Sequence, residues 1–369
     1  MNMFMYGYKC AARALRSHAN LTNQTKSMKA MVLWGPGRLS ETQVSMPGFR
    51  PDGNQVLVRI TYSRVCGTDL KIHSGAIPVS YPLIMGHEMI GVVVEGGASE
   101  GFRPGDRIIL DPTLYCGRCF QCQMGRTNLC PNARLVGRDV DGGFAEYVVT
   151  DTNHIFRLPD SISSQAAPLL QVMTTCVHAQ RLVKPARGES VVVLGLGVAG
   201  QLHVQLAKAH GASPVIGISR NRFKCDMAMQ LGADVVLCGG NDAQKNVYDA
   251  TEGRGADLVV ESTGIMTCLA EAIRLVRPGG RVLLFGITTA KEGTLPFYQL
   301  YFKEIAQTSA RGATREDFVD SIGLVQEGTV LLEPLVSHTL PLRELGTAIK
   351  MLASDTDNRL KIIVNHLQN

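Results

Sequence analysis

Two groups of side chains stand out by type and spacing. Cys116, Cys119, Cys122 and Cys130 form a C-x2-C-x2-C-x7-C run. Four soft thiolates in one turn-rich stretch can close a tetrahedral Zn²⁺ shell, and a shell without an open position is structural in character. Gly117 and Gly125 supply the turns such a lobe needs. An iron–sulfur cluster, or four neighbouring core cysteines, would show the same spacing. Upstream, Cys66 begins Cys-Gly-Thr-Asp, and His87-Glu88 follow twenty-one residues later in Gly-His-Glu. A thiolate, an imidazole and a carboxylate are three mixed ligands, the count that leaves a fourth position for water or substrate. Gly67, Gly86 and Gly91 let the chain turn where such ligands must converge. Asp69 is placed to accept the free N–H of His87, or else to act as the N-terminal acid of a helix. Thr68 offers a hydroxyl that passes a proton, or that simply caps the helix.

A third pattern concerns a cofactor. The apolar run Val191–Leu194 leads into Gly195-Leu196-Gly197-Val198-Ala199-Gly200 and then a helical pattern. A buried strand before and a helix after are the context in which G-x-G-x-x-G sets a pyrophosphate on backbone N–H groups, here at Gly195, Gly197, Val198 and Gly200. An NAD site wants a carboxylate about 20 residues on. This chain has Ser219-Arg220-Asn221-Arg222 instead. With two guanidiniums and no acid, Ser219, Arg220 and Arg222 predict a preference for NADP(H) over NAD(H), unless the arginines merely face solvent.

The elements that must position these groups fall into two textures. From Met28 to about His178, short strands alternate with Gly/Pro turns, including Gln55–Tyr62, Ile90–Glu95, Arg107–Asp111 and Phe144–Val149. After Pro185, strands alternate with helices: Ser190–Leu194, a helix over Gln201–His210, Pro214–Ile218, a helix to Leu231, then Val235–Cys238, Asp257–Glu261 and Arg281–Phe285. That alternation predicts an α/β protein with a doubly wound parallel sheet beside a mostly-β module. Helices over Arg315–Glu327 and Leu342–Ala353 precede a terminal strand, Leu360–Val364.

Composition narrows the remaining classes. The 369 residues carry a formal charge of +5. The first forty hold Lys9, Arg13, Arg16, Lys26, Lys29 and Arg38 with no acid before Glu41, so the rest is close to neutral. That placement argues against a nucleic-acid-binding face. No apolar run approaches the ~18 residues of a membrane span. Ten cysteines, five of them at metal-ligand spacings and without a secretory signal pattern, predict a reducing compartment, the cytoplasm. The acid-free arm, residues 1–27, is either a mitochondrial-type transit peptide or an upstream extension outside the fold.

Together these motifs resemble the zinc-dependent medium-chain dehydrogenase/reductase family. The resemblance covers residues 28–369 and rests on Cys66-Gly-Thr-Asp, Gly86-His-Glu, the four-cysteine lobe, Asp141-Gly-Gly-Phe-Ala-Glu-Tyr and Gly195-x-Gly-x-x-Gly in the family's order. It implies a GroES-like catalytic domain over 28–177 and 313–369, a Rossmann domain over 178–312, two zinc ions per chain, and a homodimer or homotetramer. It implies Cys66 and His87 as catalytic zinc ligands, Glu88 as a direct or close ligand and Thr68 as the proton-relay hydroxyl, with Asp69 beside them in the catalytic set and Lys71, His73 or bulk water taking the last proton step. Gln171 stands where many members have a Cys or Glu near the metal. Lys71 stands where many have the terminal histidine of the relay, and His73 lies two positions on. The implied reaction interconverts a secondary alcohol, sugar or polyol and its carbonyl compound by hydride transfer to a nicotinamide. Threonine-type amino-alcohol oxidation shares every motif, and a non-catalytic dinucleotide sensor is the reading from another class. Ile72, Tyr115 and Tyr298 are expected to line the substrate pocket.

Overall fold

The computed structural model describes residues 27–50, 53–239, 242–288, 290–354 and 358–368. The N-terminal arm of residues 1–26, with its two alternative readings, lies outside the described residues.

The first half is built on a three-stranded antiparallel sheet and a seven-stranded, mostly antiparallel sheet, with a small ribbon of Thr113–Leu114 and Arg134–Leu135. Ser27–Leu33 pairs with Leu39–Ser45 on one side and Leu83–Ile84 on the other. A seven-stranded sheet centres on Gln55–Arg64, which pairs with Met89–Gly96, with Tyr147–Asp151 and with the terminal strand Lys361–Asn365. Val58 and Ile60 face the core together with Met89, Val93, Ile108 and Leu110, so the alternation of Gln55–Tyr62 is that of a strand with one apolar face. The C-terminus returns to this sheet: Val336–Pro341 runs parallel to Lys361–Asn365 at its edge.

The second half is a six-stranded, wholly parallel sheet. Its spatial order is Val235–Cys238, Val215–Ser219, Val191–Leu194, Ala256–Glu261, Val276–Leu284, Ala306–Ser309. In chain order that is 3-2-1-4-5-6, the dinucleotide-binding arrangement, whose crevice opens at the carboxyl ends of the two central strands. Val191 to Val193 are fully buried, as a strand covered on both faces requires. The protein is α/β with one mostly-β module and one doubly wound sheet.

The helix Leu170–Val183 lies inside a segment whose sequence reads as mostly β. Its buried positions Leu170, Met173, Thr174, Val177 and Gln180 follow helical spacing. Pro168 opens it in a 3₁₀ turn, and Lys184, at φ 45°, closes it before Pro185. The expected domain boundary at 177/178 therefore falls within a helix. That helix packs on Phe318, Val330 and Leu335 in a cluster that also takes in Ile90, Ile109 and Ile363 of the antiparallel sheet. The fingerprint helix starts earlier than its apolar pattern, at Val198. The Leu342–Ala353 segment divides into a 3₁₀ turn, Leu342–Glu344, and a helix, Leu345–Ala353.

Candidate active site and metal centres

Cys66 is the N-cap of the short helix Gly67–His73, reached directly from the strand Gln55–Arg64. His87 and Glu88 precede the next strand of the sheet. The chain before them is braced by the Asp141-Gly-Gly-Phe segment. Asp141 Oδ1 accepts from the Ile84 N–H at 2.9 Å, and the N–H groups of Gly142, Gly143 and Phe144 donate to Ile84, Gly86 and Met85. Gly86 has φ 95°, and a Cβ there would lie 2.9 Å from Phe144, so a side chain at this position would unseat His87. Gly67, by contrast, is only the first residue of a helix.

The structure brings Cys66, His87 and Glu88 together: one donor atom from each lies within 4.8 Å of the others. Asp69 is fully buried and does two things. Its Oδ2 accepts from the Cys66 N–H at 2.8 Å, and its Oδ1 lies 3.3 Å from His87 Nδ1, off good hydrogen-bond alignment. The bond to the Cys66 N–H is that of a helix N-terminal acid, and toward His87 the carboxylate makes a close electrostatic contact without an aligned hydrogen bond. With Nδ1 toward Asp69, the ring presents Nε2 to the cluster, 3.8 Å from Glu88 Oε1. Burial pulls the His87 pKa down, but Asp69 and Cys66 outweigh it and hold it well above the usual value. Burial and Glu88 push the Cys66 thiol up, yet His87 and Lys361 bring it below an ordinary thiol. A thiol biased toward thiolate, an oriented imidazole and a carboxylate with a free Oε2 form a donor set suited to Zn²⁺.

Thr68 and Lys71 are three residues apart on the same short helix and so share a face. Burial lowers the pKa of the half-buried His73. Gln171, in the first turn of Leu170–Val183, is buried with an unpartnered Oε1. Ile72 is sealed in the core with Val65 and Met85. With no exposed surface it is not a lining residue. Tyr298 is 74% exposed beside Phe302, and Tyr115 lies edge-on to His154.

Sequence reasoning missed two cations. Arg64 is buried and paired with Glu88. Lys361 begins the returning strand, within electrostatic reach of Cys66, Glu88 and Asp69, and burial and Arg64 lower its pKa. A charged residue in the apolar run Leu360–Val364 was the available signal for Lys361.

The four cysteines of the lobe also converge, all sulfurs within 4.8 Å. Cys130 Sγ lies 3.6 Å from Cys116 Sγ and 3.8 Å from Cys119 Sγ. A tetrahedron with Zn–S of ~2.3 Å has edges of about 3.8 Å, so the spacing fits the ion. Backbone N–H groups of Arg118 and Cys119 lower the Cys116 thiol to about 6, while burial and the neighbouring thiols Cys119 and Cys130 push Cys122 up to about 12. A divalent cation would relieve that mutual repulsion.

In the parallel sheet, a cavity of about 810 Å³ opens at the fingerprint turn, lined by Gly195, Gly197, Ser219, Arg220, Asn221, Lys224 and Thr263 among others. Val198 opens the helix whose N-terminus faces this turn, and a Cβ on Gly200 would sit 1.9 Å from Gly195 O. Arg222 is placed differently from Arg220. It lies outside the lining, 81% exposed, with Nε 2.9 Å from Asp226 Oδ1 one helical turn on. Lys224 takes its place as the second cation of the cavity.

A sheet of this order has the dinucleotide-binding arrangement, here beside a β module that carries a mixed-donor cluster. Two family models match the chain: the alcohol dehydrogenase GroES-like domain over residues 52–160 and the zinc-binding dehydrogenase over 198–327. The chain is 34% identical over 323 residues to L-threonine 3-dehydrogenase of Pyrococcus horikoshii, covering 85% of this chain and 92% of the relative. It is 31% identical over 343 residues to sorbitol dehydrogenase of Halalkalibacterium halodurans, covering 89% and 100%. A Sinorhizobium meliloti protein solved with NADP bound, described as a zinc-binding dehydrogenase, superposes with a TM-score of 0.85 at 31% identity, covering 92% of this chain and 99% of that one. The chain belongs to the zinc-dependent medium-chain dehydrogenase/reductase family and is an oxidoreductase acting on alcohols. Among the described residues, no helix is long and apolar enough to cross a membrane.

Proposed function

We propose that this protein interconverts a secondary alcohol, sugar or polyol and its carbonyl compound, with NADP(H) preferred as the hydride carrier. The observation that carries the reading is the convergence of Cys66, His87 and Glu88, three mixed donors, in a chain that also holds a cofactor cavity. A zinc ion held by these residues, with Gln171 beside it, would supply Lewis acidity that lowers the proton affinity of the substrate hydroxyl. Asp69 fixes the His87 ring so that Nε2 is the donor. Thr68 accepts the substrate's proton while releasing its own hydroxyl hydrogen, which the imidazole of His73 or bulk water takes up, with Lys71 on the same short helix. The turn Gly195–Gly200 and the helix beginning at Val198 hold the pyrophosphate, while Ser219, Arg220 and Lys224 receive the 2′-phosphate.

A second zinc in the cysteine lobe is structural in this reading. The unpaired edge strand Ala306–Ser309, near the exposed Phe297, Tyr301 and Phe302, supports self-association as a homodimer or homotetramer. The reducing cytoplasm suits two thiolate sites. Amino-alcohol oxidation is the second reading, favoured by the relative named for L-threonine.

Steady-state assays of polyols, sugars, secondary alcohols and threonine with both nicotinamides separate the two readings. In the same assays Cys66→Ala abolishes turnover and removes one zinc per chain while leaving NADPH affinity intact. Equal loss of NADPH affinity would mean that Cys66 only supports the fold.

A further inference from the structure

Arg64 is the only Arg or Lys among the described residues in the buried class, 1% exposed. It ends the strand Gln55–Arg64, two residues before Cys66. Its backbone N–H donates to Glu88 O at 3.0 Å, and its guanidinium Nη2 pairs with Glu88 Oε1. Arg64 therefore grips Glu88 twice, once by main chain and once by side chain. The pairing is conspicuously incomplete. Arg64 Nε and Nη1 and Glu88 Oε2 are buried without partners.

An ion pair kept for packing would be bidentate, because unsatisfied donors in a dry site cost more than the pair returns. A single-oxygen grip leaves the other oxygen free. Glu88 is thus shared: one oxygen faces a fixed cation, and the carboxylate as a whole sits in the donor cluster with Cys66 and His87.

We propose that Arg64 is a positioning residue that competes with the metal ion for Glu88, holding the third ligand partly neutralised. The inference rests on reading Cys66, His87 and Glu88 as metal ligands. Two anionic donors around a divalent cation sum to neutrality, and Arg64 leaves the site one charge more positive. Such a site binds its ion less tightly and withdraws charge from a substrate oxygen more strongly. A fixed cation at contact distance lowers a carboxylate's affinity for a proton by roughly one to three decades, and its affinity for a metal falls for the same electrostatic reason.

The test measures Zn²⁺ affinity of the Cys66 site by chelator competition on full-length protein, assigning that site as the zinc lost in Cys66→Ala. Arg64→Met tightens Zn²⁺ roughly tenfold or more and enlarges the metal-dependent rise in Tm. Arg64→Lys, which keeps a charge for one oxygen, restores most of the wild-type affinity. Co²⁺ substitution supplies a signature that a packing defect would not produce: the visible bands of the Cys66 site shift in Arg64→Met and return in Arg64→Lys. In a Glu88→Gln background the Arg64→Met effect on affinity vanishes. Should Arg64→Met fail to fold, Arg64→Gln, which removes the charge but keeps a hydrogen-bond donor, takes its place in both the wild-type and the Glu88→Gln backgrounds. Unchanged or weaker binding in Arg64→Met, or an effect that survives Glu88→Gln, overturns the competition. If Cys66→Ala loses no zinc, the ligand reading itself falls, and the inference with it.

Discussion

Replacing the three cations near the second strand of the parallel sheet one at a time separates recognition from surface charge. Arg220 and Lys224 line the 810 Å³ cavity, whereas Arg222 is 81% exposed and engaged with Asp226. A charged hydrogen bond to a phosphate contributes ~1.5–3 kcal/mol when enclosed. Arg220 is exposed at the cavity, so solvent screening reduces this to ~1–2 kcal/mol. At 1.36 kcal/mol per decade, Arg220→Ala should raise the KM for NADP⁺ roughly 5- to 30-fold. Lys224→Ala should act in the same direction. The KM for NAD⁺, which lacks the 2′-phosphate, should barely move in either variant. Raising ionic strength should narrow the gap between wild type and Arg220→Ala, since an exposed charge pair is screened over about 10 Å at 0.1 M salt. Initial rates with both cofactors at two salt concentrations supply every term. Arg222→Ala is the control and should leave both constants near wild type. An unchanged NADP⁺/NAD⁺ ratio in Arg220→Ala and Lys224→Ala would refute the phosphate assignment, and an equal effect of Arg222→Ala would refute the distinction drawn from the cavity.

Two further outcomes follow from buried groups. Burial raises Asp111 to about 7, against hydrogen bonds from Thr113 and the charge of Arg315, so the folded protein keeps a proton that the unfolded chain releases near 4. Stability associated with Asp111 is therefore full below pH ~4 and lost as pH rises to ~7, by up to about 4 kcal/mol. Asp111→Asn should raise Tm at pH 8 and leave it unchanged at pH 4, and equal shifts at both pH values would contradict the sign. Gly200→Ala places a Cβ 1.9 Å from Gly195 O, a backbone atom that cannot yield. Calorimetric titration should show NADP⁺ binding abolished while the zinc content is retained; normal binding would mean the fingerprint turn is not the pyrophosphate seat.

Motifs held together by local chain were the legible part of the sequence. The cysteine lobe spans fifteen residues, and the fingerprint is one strand, one turn and one helix, so spacing alone fixes their geometry. Asp69 was legible for the same reason, being one helical turn from Cys66. What local pattern could not show was which neighbour a side chain finds. Arg222 and Arg220 are equivalent as text, yet Arg222 has Asp226 four residues on along its helix, and an i,i+4 partner draws it to the surface. The helix Leu170–Val183 was hidden because Thr174, Thr175, Val172 and Val177 read as β-formers, and only packing against Phe318 and Val330 overrides that propensity.

The charges around the metal cluster arise from the longest-range pairing of all. Arg64 and Ile363 are opposite each other in the antiparallel register, so Lys361, two residues before Ile363, points to the same face as Arg64. Arg64 and Lys361 belong to segments almost three hundred residues apart, and neither has a motif. Their closeness depends on the last strand returning to pair with Gln55–Arg64 in the first sheet. The donor cluster of Cys66, His87 and Glu88 is thus bordered by two cations that local sequence cannot reveal. Asp69 and Glu88 are the counter-charges that make this tolerable in a buried site, since each cation without a neighbouring acid would face the full cost of desolvation. The returning strand therefore does more than close a sheet edge: it adds the charge that keeps the donor cluster from being over-supplied with anions.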